Sequence, residues 1–257
     1  MEILIISCIF GNKFKKIYPA PILTAIPLVA VGGNELVIPY KCLFFTNNPT
    51  LKKEIERKGW TPVFINMPLT DNSTVSSVQS KYIKFLQFLN NNRFKQLKEK
   101  YKQILYFDHK FYVFPQHINK LIELCNDNES NTDDNTDDNT THIIIRETPT
   151  LKTSIWDEVN ASKGQDRYKL GMSDTIALIN NKIKNKEIQS NIRICNTGLI
   201  FYNNYTPVIP MLNQIYLACT TLMQPECQIF WAIYSQQYTD LIKTIPFPLI
   251  NPLWKCP

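Results

Sequence analysis

The chain has 257 residues, of which 44% are hydrophobic, 12% aromatic and 19% charged; this is enough apolar material for one large domain and too much for a disordered tail or a collagen-like fibre. Lys and Arg number 28 against 22 Asp and Glu, a net charge of +6, but six of the acids (Asp127, Glu129, Asp133, Asp134, Asp137, Asp138) fall in one block, NDNESNTDDNTDDNTT at 126–141. Without that block 28 bases face 16 acids, so the remaining chain stands at +12 and suits an anionic partner.

Residues 3–9 read as a first strand rather than a signal peptide, because no basic region precedes them and no small-residue cleavage pattern follows. The apolar stretch 17–31 is broken by Pro19, Pro21 and Pro27, whereas a spanning helix needs about 20 uninterrupted apolar residues. No membrane span is expected. Strands are predicted at 42–46 and 62–65, with a helix over 50–58 (TLKKEIERK) between them and Gly59 at its C-cap. A single helix is predicted over 74–97, where Tyr82, Phe85, Leu86 and Leu89 make one buried stripe with Lys81 and Lys84 on its flank. A strand at 104–107 ends in Asp108-His109-Lys110, and a short helix follows at 115–125. The acidic block has no apolar anchor to offset the entropy of ordering, which predicts a mobile surface loop inserted in the domain.

After the block, a strand at 142–147 ends in Arg146-Glu147. Helices are predicted at 155–161, 166–186 and within 205–234, and a strand at 194–202 is interrupted by Asn196-Thr197-Gly198. The Pro-rich tail PFPLINPLWKCP is expected to be extended. Strands that alternate with helices on both sides of the block predict an α/β protein, with residues 1–257 forming one domain.

In an open α/β sheet ligands bind beyond the carboxyl ends of the strands, which directs attention to residues 7–16, Asp108-His109-Lys110 and Arg146-Glu147. Neither G-x-G-x-x-G nor a Walker lysine loop is present, which argues against a dinucleotide dehydrogenase and a P-loop NTPase. A G-x-S-x-G elbow is also missing. The three histidines (His109, His117, His142) lack metal-ligand spacing. The seven cysteines form no C-x-x-C pair, so a disulfide framework is not indicated and a reducing, cytoplasmic compartment is expected.

The string ILYFDHK at 104–110 resembles the strand ending in an acidic D-x-D-type motif of GT-A glycosyltransferases, which use nucleotide-sugar donors. IFGN at 9–12, CLFFTNN at 42–48, KYIKF at 81–85, CNTGLIFY at 195–202 and PECQIFW at 225–231 fall in the order of that family, and the set resembles the glycosyltransferase-like proteins of large DNA viruses. The resemblance implies a Rossmann-like GT-A fold whose central sheet is mixed but mainly parallel, flanked by helices. It also implies a nucleotide sugar, a glycan or protein acceptor, and host cytoplasm as the location if the chain is viral. Phe10, Gly11 and Asn12 would line the nucleobase and ribose, Lys81 and Lys84 the donor site, Arg146 and Glu147 the sugar or acceptor, and Asn196, Thr197 and Gly198 a turn under the sugar.

By the same resemblance Asp108 would hold Mn²⁺ or Mg²⁺ at the leaving diphosphate. The sequence departs from the family at Lys110, where a second acid is usual; a cation there repels a metal or contacts phosphate itself. Glu226 is the candidate base for the acceptor hydroxyl, with Gln228 as a neutral neighbour if the site is retaining. Each assignment has a plainer counterpart. Asp108 could be a strand-end cap, Lys81 and Lys84 a solvated flank, Arg146 with Glu147 an ion pair, and Glu226 a helix-start acid after Pro225. His109 reads as a spacer pointing away, and Phe44, Phe45, Phe85, Phe88, Phe230 and Trp231 as core. Two other functions compete: a basic nucleic-acid binder using the Lys and aromatic residues of 88–112, although no nucleic-acid motif is present, and an inactive GT-A scaffold.

Overall fold

The computed structural model describes residues 2–12, 16–21, 27–29, 35–37, 39–126 and 141–252. The acidic stretch 127–140 and the tail beyond residue 252 lie outside the described residues.

One seven-stranded sheet organises the chain, and it draws strands from both sides of the acidic block. In chain order these are β1 (Ile3–Ile9), β4 (Tyr40–Thr46), β5 (Thr61–Phe64), β6 (Gln103–Phe107), β7 (Ile143–Glu147), β8 (Cys195–Asn203) and β9 (Ile242–Ile245), while β2 (Pro27–Val29) and β3 (Glu35–Val37) form a separate antiparallel pair. The sheet order is β5-β4-β1-β6-β8-β7-β9, and β8 alone runs against its neighbours. The α/β class with a mixed, mainly parallel sheet is therefore as expected. Neither the β2–β3 pair nor β9 was legible in the prediction.

Strand β1 is buried at every position, as an interior parallel strand with both faces covered must be. Its alternation divides the core: Leu4, Ile6 and Cys8 join one apolar cluster, and Ile3, Ile5 and Ile9 the other. The first face packs against α3 (Lys81–Lys84), α6 (Ile155–Ser162), α7 (Met172–Lys184), α8 (Ile209–Thr221) and α9 (Cys227–Tyr234), which supply Ile83, Val159, Ile179, Met211 and Phe230. The second is covered by α1 (Lys52–Arg57) through Ile55 and by α5 (Pro115–Asn126) through Ile118 and Leu121. All six aromatic residues assigned to the core are buried. The six described cysteines are buried and free. No helix among the described residues is long and apolar enough to cross a membrane.

Local chemistry explains where the elements depart from their predicted shapes. Gly59 closes α1 with φ +79°, as expected of a C-cap glycine. The single helix expected over 74–97 is instead α2 (Ser73–Gln79), α3, two 3-10 turns and α4 (Lys95–Lys100). Leu86 adopts a left-handed φ of 57°, which costs about 1–2 kcal/mol for a residue with a Cβ and is offset by burying its side chain. The Gln87 side-chain amide donates to the freed Phe85 carbonyl at 2.9 Å. Asn91 accepts from the Arg93 N–H at 2.9 Å, so its side chain competes with the helix. The apolar stripe is nonetheless buried, with Tyr82 only partly so.

The helix expected over 166–186 likewise begins late, at Met172, after a 3-10 turn. Strand β8 is continuous rather than interrupted, but its register with β7 jumps: Ile145 pairs with Ile200 while Arg146 pairs with Asn196. Thr197, Gly198 and Leu199 therefore bulge away from β7, while on the other side Leu199 pairs with Phe107. The tail is not extended throughout, since Phe247–Leu249 forms a 3-10 turn and Ile250 is buried.

Gly171 shows how closely the helices approach one another, because a Cβ there would lie 2.0 Å from the Leu222 carbonyl oxygen. Replacing Gly171 by Ala should destabilise the fold by about 1–3 kcal/mol; an unchanged urea midpoint would show that α7 can move away from Leu222.

Candidate functional site

Because β8 is antiparallel, its amino end lies at the same sheet edge as the carboxyl ends of β1 and β6. Above that edge, α2, α3, α6 and the start of α9 enclose a cavity of about 480 Å³, a volume suited to a small-molecule ligand. Its lining carries five cations (Lys81, Lys84, Lys110, Lys152, Arg167) and three acids (Asp108, Glu158, Glu226).

The floor is built around Asp108. Tyr106 and Asp108 are two residues apart in extended chain, so their side chains emerge on one face, and the Tyr106 hydroxyl donates to Asp108 Oδ1 at 2.7 Å. Lys84 Nζ lies 3.1 Å from the same oxygen, with the lysine side chain 4% exposed. The Asp108 N–H donates to the Gly198 carbonyl at 2.9 Å, which ties the strand end to the β8 bulge. The Tyr202 hydroxyl donates to the Lys84 carbonyl at 2.6 Å and so fixes α3 over the sheet.

Burial by itself opposes ionisation of both partners, but each charge outweighs that penalty for the other. Lys84 is held above the ordinary lysine value chiefly by Asp108, with Cys227 adding to it. Asp108 is held well below the ordinary carboxylate range by Lys84, then Lys110 and Lys81, with the Tyr106 hydrogen bond helping. Lys110 is lowered by burial, with Asp108 opposing and Lys84 and Arg167 adding to the drop.

A second cluster faces the first. Glu226 is the N-cap of α9, where it accepts from the Gln228 N–H at 3.2 Å. The Gln228 side-chain amide then bridges two carboxylates, donating to Glu158 at 3.1 Å and Glu226 at 3.3 Å. Lys152 pairs with the other Glu158 oxygen. Burial and the nearby Glu226 charge raise the Glu158 pKa, while Lys152 and Gln228 act against the rise.

The surroundings of Asp108 do not fit a divalent cation. Among the described residues no group of three or more His, Cys, Asp and Glu is arranged to hold a metal. Asp108 Oδ1 already receives Lys84 and Tyr106. A divalent ion on that oxygen would stand about 5 Å from the ammonium, a repulsion of about 7 kcal/mol at an effective dielectric of about 20.

Most residues singled out in the sequence converge here: Phe10, Lys81, Lys84, Asp108, Lys110, Asn196, Thr197, Gly198, Glu226 and Gln228 all line the cavity. Lys81 and Lys84 are buried rather than a solvated flank, and His109, read as a spacer, is also among the residues that line the cavity. Gly11 and Asn12 are not in the lining. Gly11 has φ +92° and a Cβ there would lie 2.8 Å from the Thr70 carbonyl, while Asn12 is exposed and its N–H donates to the same oxygen at 2.9 Å. Gly198 does admit a close neighbour, but that neighbour is the Phe111 ring, 2.6 Å from where a Cβ would sit.

Arg146 and Glu147 are elsewhere. Arg146 is fully buried between the rings of Phe111 and Phe247, and donates to the Ile250 carbonyl at 3.0 Å. Burial lowers its pKa to about 10. Glu147 pairs with Arg193, so the plainer alternative, an ion pair between Arg146 and Glu147, is not what holds either residue. Phe88, Phe94, Tyr101, Phe107 and Phe111 are buried, which removes them from any stacking on nucleic acid.

Sequence reasoning missed Tyr106, Lys152, Glu158 and Arg167. Only Tyr106 had a signal, its two-residue spacing from Asp108 on a strand. Glu158 follows Asp157, the acid of a capping box with Ser154, and nothing local distinguishes the buried acid from the capping one.

No protein-family model matches the chain, and no curated protein matches it in sequence. Solved structures similar to it include mouse xyloside xylosyltransferase 1 in its apo form, at 8% identity and TM-score 0.44, covering 96% of this chain and 86% of that one. Another is CMP:2-keto-3-deoxy-manno-octonic acid synthetase complexed with CTP, at 10% identity and TM-score 0.42, covering 96% and 90%. A third is a glycosyltransferase involved in glycosylation of the major capsid of PBCV-1, at 11% identity and TM-score 0.38, covering 96% and 83%.

The Lys84–Asp108 pair sets a stability expectation. Lys84→Met should cost about 3 kcal/mol, the low end for breaking a buried pair because Asp108 keeps some solvent contact, and adding Asp108→Asn should restore most of it. Asp108 ionises below its ordinary value of 3.8, so its contribution is complete above that value and is lost as the pH falls toward the lowered one. Urea midpoints from about pH 6 to about pH 3 should thus fall more steeply for wild type than for the double variant.

Proposed function

We propose that this chain is a nucleotide-sugar-dependent glycosyltransferase of the GT-A type. It would move a hexosyl or pentosyl group from a nucleoside diphosphate sugar to a hydroxyl of a glycan or protein. The observation that carries the reading is the basic cavity at the carboxyl ends of β1 and β6, with Asp108 on its floor and Glu158, Gln228 and Glu226 opposite. The D-x-D-like string, the KYIKF segment, CNTG and PECQ all contribute lining residues. We read the chain as one such domain with an acidic insertion, placed in the cytoplasm, of the host if the chain is viral.

In the proposed reaction the acceptor oxygen bonds to the anomeric carbon as the bond from that carbon to the phosphate oxygen breaks. The electron pair leaves with the nucleoside diphosphate, and the acceptor proton passes to a carboxylate. Lys81, Lys110 and Arg167 supply preorganised positive charge where the leaving group becomes more negative, which lowers the barrier. Glu226 is the proposed base. Gln228 holds its carboxylate beside that of Glu158 by donating to both. Phe10 and the Asn196-Thr197-Gly198 segment would shape the donor side.

Donor class is tested by a thermal-shift screen of UDP-, GDP-, CMP- and dTDP-sugars, in which one class should raise the melting temperature in a dose-dependent way. With that donor, Glu226→Gln preserves the cap acceptor and should lower kcat by about 10²–10⁴ while leaving donor Kd nearly unchanged. A full-rate Glu226→Gln enzyme would move the base to Glu158.

A further inference from the structure

We propose that the cavity is a metal-independent diphosphate site, in which Lys84 occupies the place of a divalent cation beside Asp108 and neighbouring basic side chains receive the phosphates. The inference rests on the nucleotide-sugar reading and adds how the donor is held.

Three observations carry it. Asp108 Oδ1 is taken by the Lys84 ammonium at 3.1 Å and the Tyr106 hydroxyl at 2.7 Å, so its charge is neutralised from within the fold. Lys84 is anchored at that place: its side chain is 4% exposed, Nζ lies 3.8 Å from Cys227 Sγ and it sits over the Tyr106 ring. Finally, Lys110 holds the third position of the D-x-D-like string, where the resemblance implies a second acid, and it lines the same cavity.

The formal charge around the cavity fits the ligand. Five cations against three acids give the lining a formal excess of two positive charges, with Lys84 paired to Asp108 and Lys152 to Glu158. That excess complements a nucleoside diphosphate sugar, which carries about two negative charges. Arg167 lies over the Tyr168 ring at 4.4 Å and can present its planar fork to phosphate oxygens, while lysines act as point charges.

The test is calorimetric titration of the full chain with inorganic pyrophosphate, UDP and GDP, each in EDTA and in Mn²⁺. At least one nucleoside diphosphate should bind in EDTA with an affinity within about twofold of that in Mn²⁺, and Lys110→Ala should weaken it about tenfold. Tightening by about tenfold or more in Mn²⁺ would overturn the inference and leave the nucleotide-sugar reading standing. Absence of binding in both conditions would overturn both.

Asp108→Asn separates the two roles by sign. A lost metal ligand would abolish Mn²⁺-supported binding, whereas a lost counter-ion of Lys84 should strengthen pyrophosphate binding in EDTA by about threefold or more. Weaker binding by a folded Asp108→Asn protein would contradict the proposal. If that variant does not fold, the wild-type comparison in EDTA and Mn²⁺ decides the matter alone.

Discussion

A carboxylate at the end of a wholly buried strand is tolerated only if its charge is answered within the fold, and the architecture above the sheet follows from that constraint. Every residue of β6 is buried, and the strand delivers Asp108 directly into the region between sheet and helices. The answering charge comes from Lys84, on a four-residue helix whose carbonyl is held by Tyr202 of β8. One ion pair thus couples β6, α3 and β8, and the Cys227 thiol beside the ammonium extends the coupling to α9. Removing a single partner leaves a buried charge unmatched, so the pair acts as a positional constraint more than as a source of net stability.

The antiparallel placement of β8 gives the site its second wall. A parallel strand in that position would bring its carboxyl end to the cavity and carry Asn196-Thr197-Gly198 to the far edge. Running the other way, β8 brings its first residues beside Asp108, and the register jump against β7 frees Thr197 and Gly198 from that partner. The Thr197 hydroxyl then reaches the Cys227 sulfur at 3.2 Å, just after the N-cap Glu226. A strand start and a helix start therefore meet, and their polar groups face one volume.

Two ion pairs around that volume are internally neutral, with Lys84 answering Asp108 and Lys152 answering Glu158. The lining as a whole, five cations against three acids, keeps a positive excess, with further cations contributed by α3, the turn after β6 and the turn before α7. The basic excess noted in the sequence is thus partly concentrated at a single place. Its effect is strongest where low-dielectric walls limit screening by solvent and salt.

Much of the fold was legible because apolar runs and helical stripes are local signals. Strands at 3–9, 42–46 and 104–107, the capped helix closed by Gly59 and the helix start after Pro225 could all be read from short windows. Residues at strand and helix ends, Asp108, Asn196 and Glu226 among them, were found for the same reason. The break at Leu86, the late start of α7 and the small strand β9 could not be read, since tertiary packing overrides local propensity at each. Arg146 illustrates the opposite error: a charge at a strand end looked functional, yet rings from β9's flank and the turn after β6 enclose it. The sequence by itself determined the class of the fold and the position of the acidic strand end. That Lys84 answers Asp108 and that Glu158 joins Glu226 emerges only on folding, because charges 24 and 68 residues apart in sequence acquire their partners from burial and distance, which no local window contains.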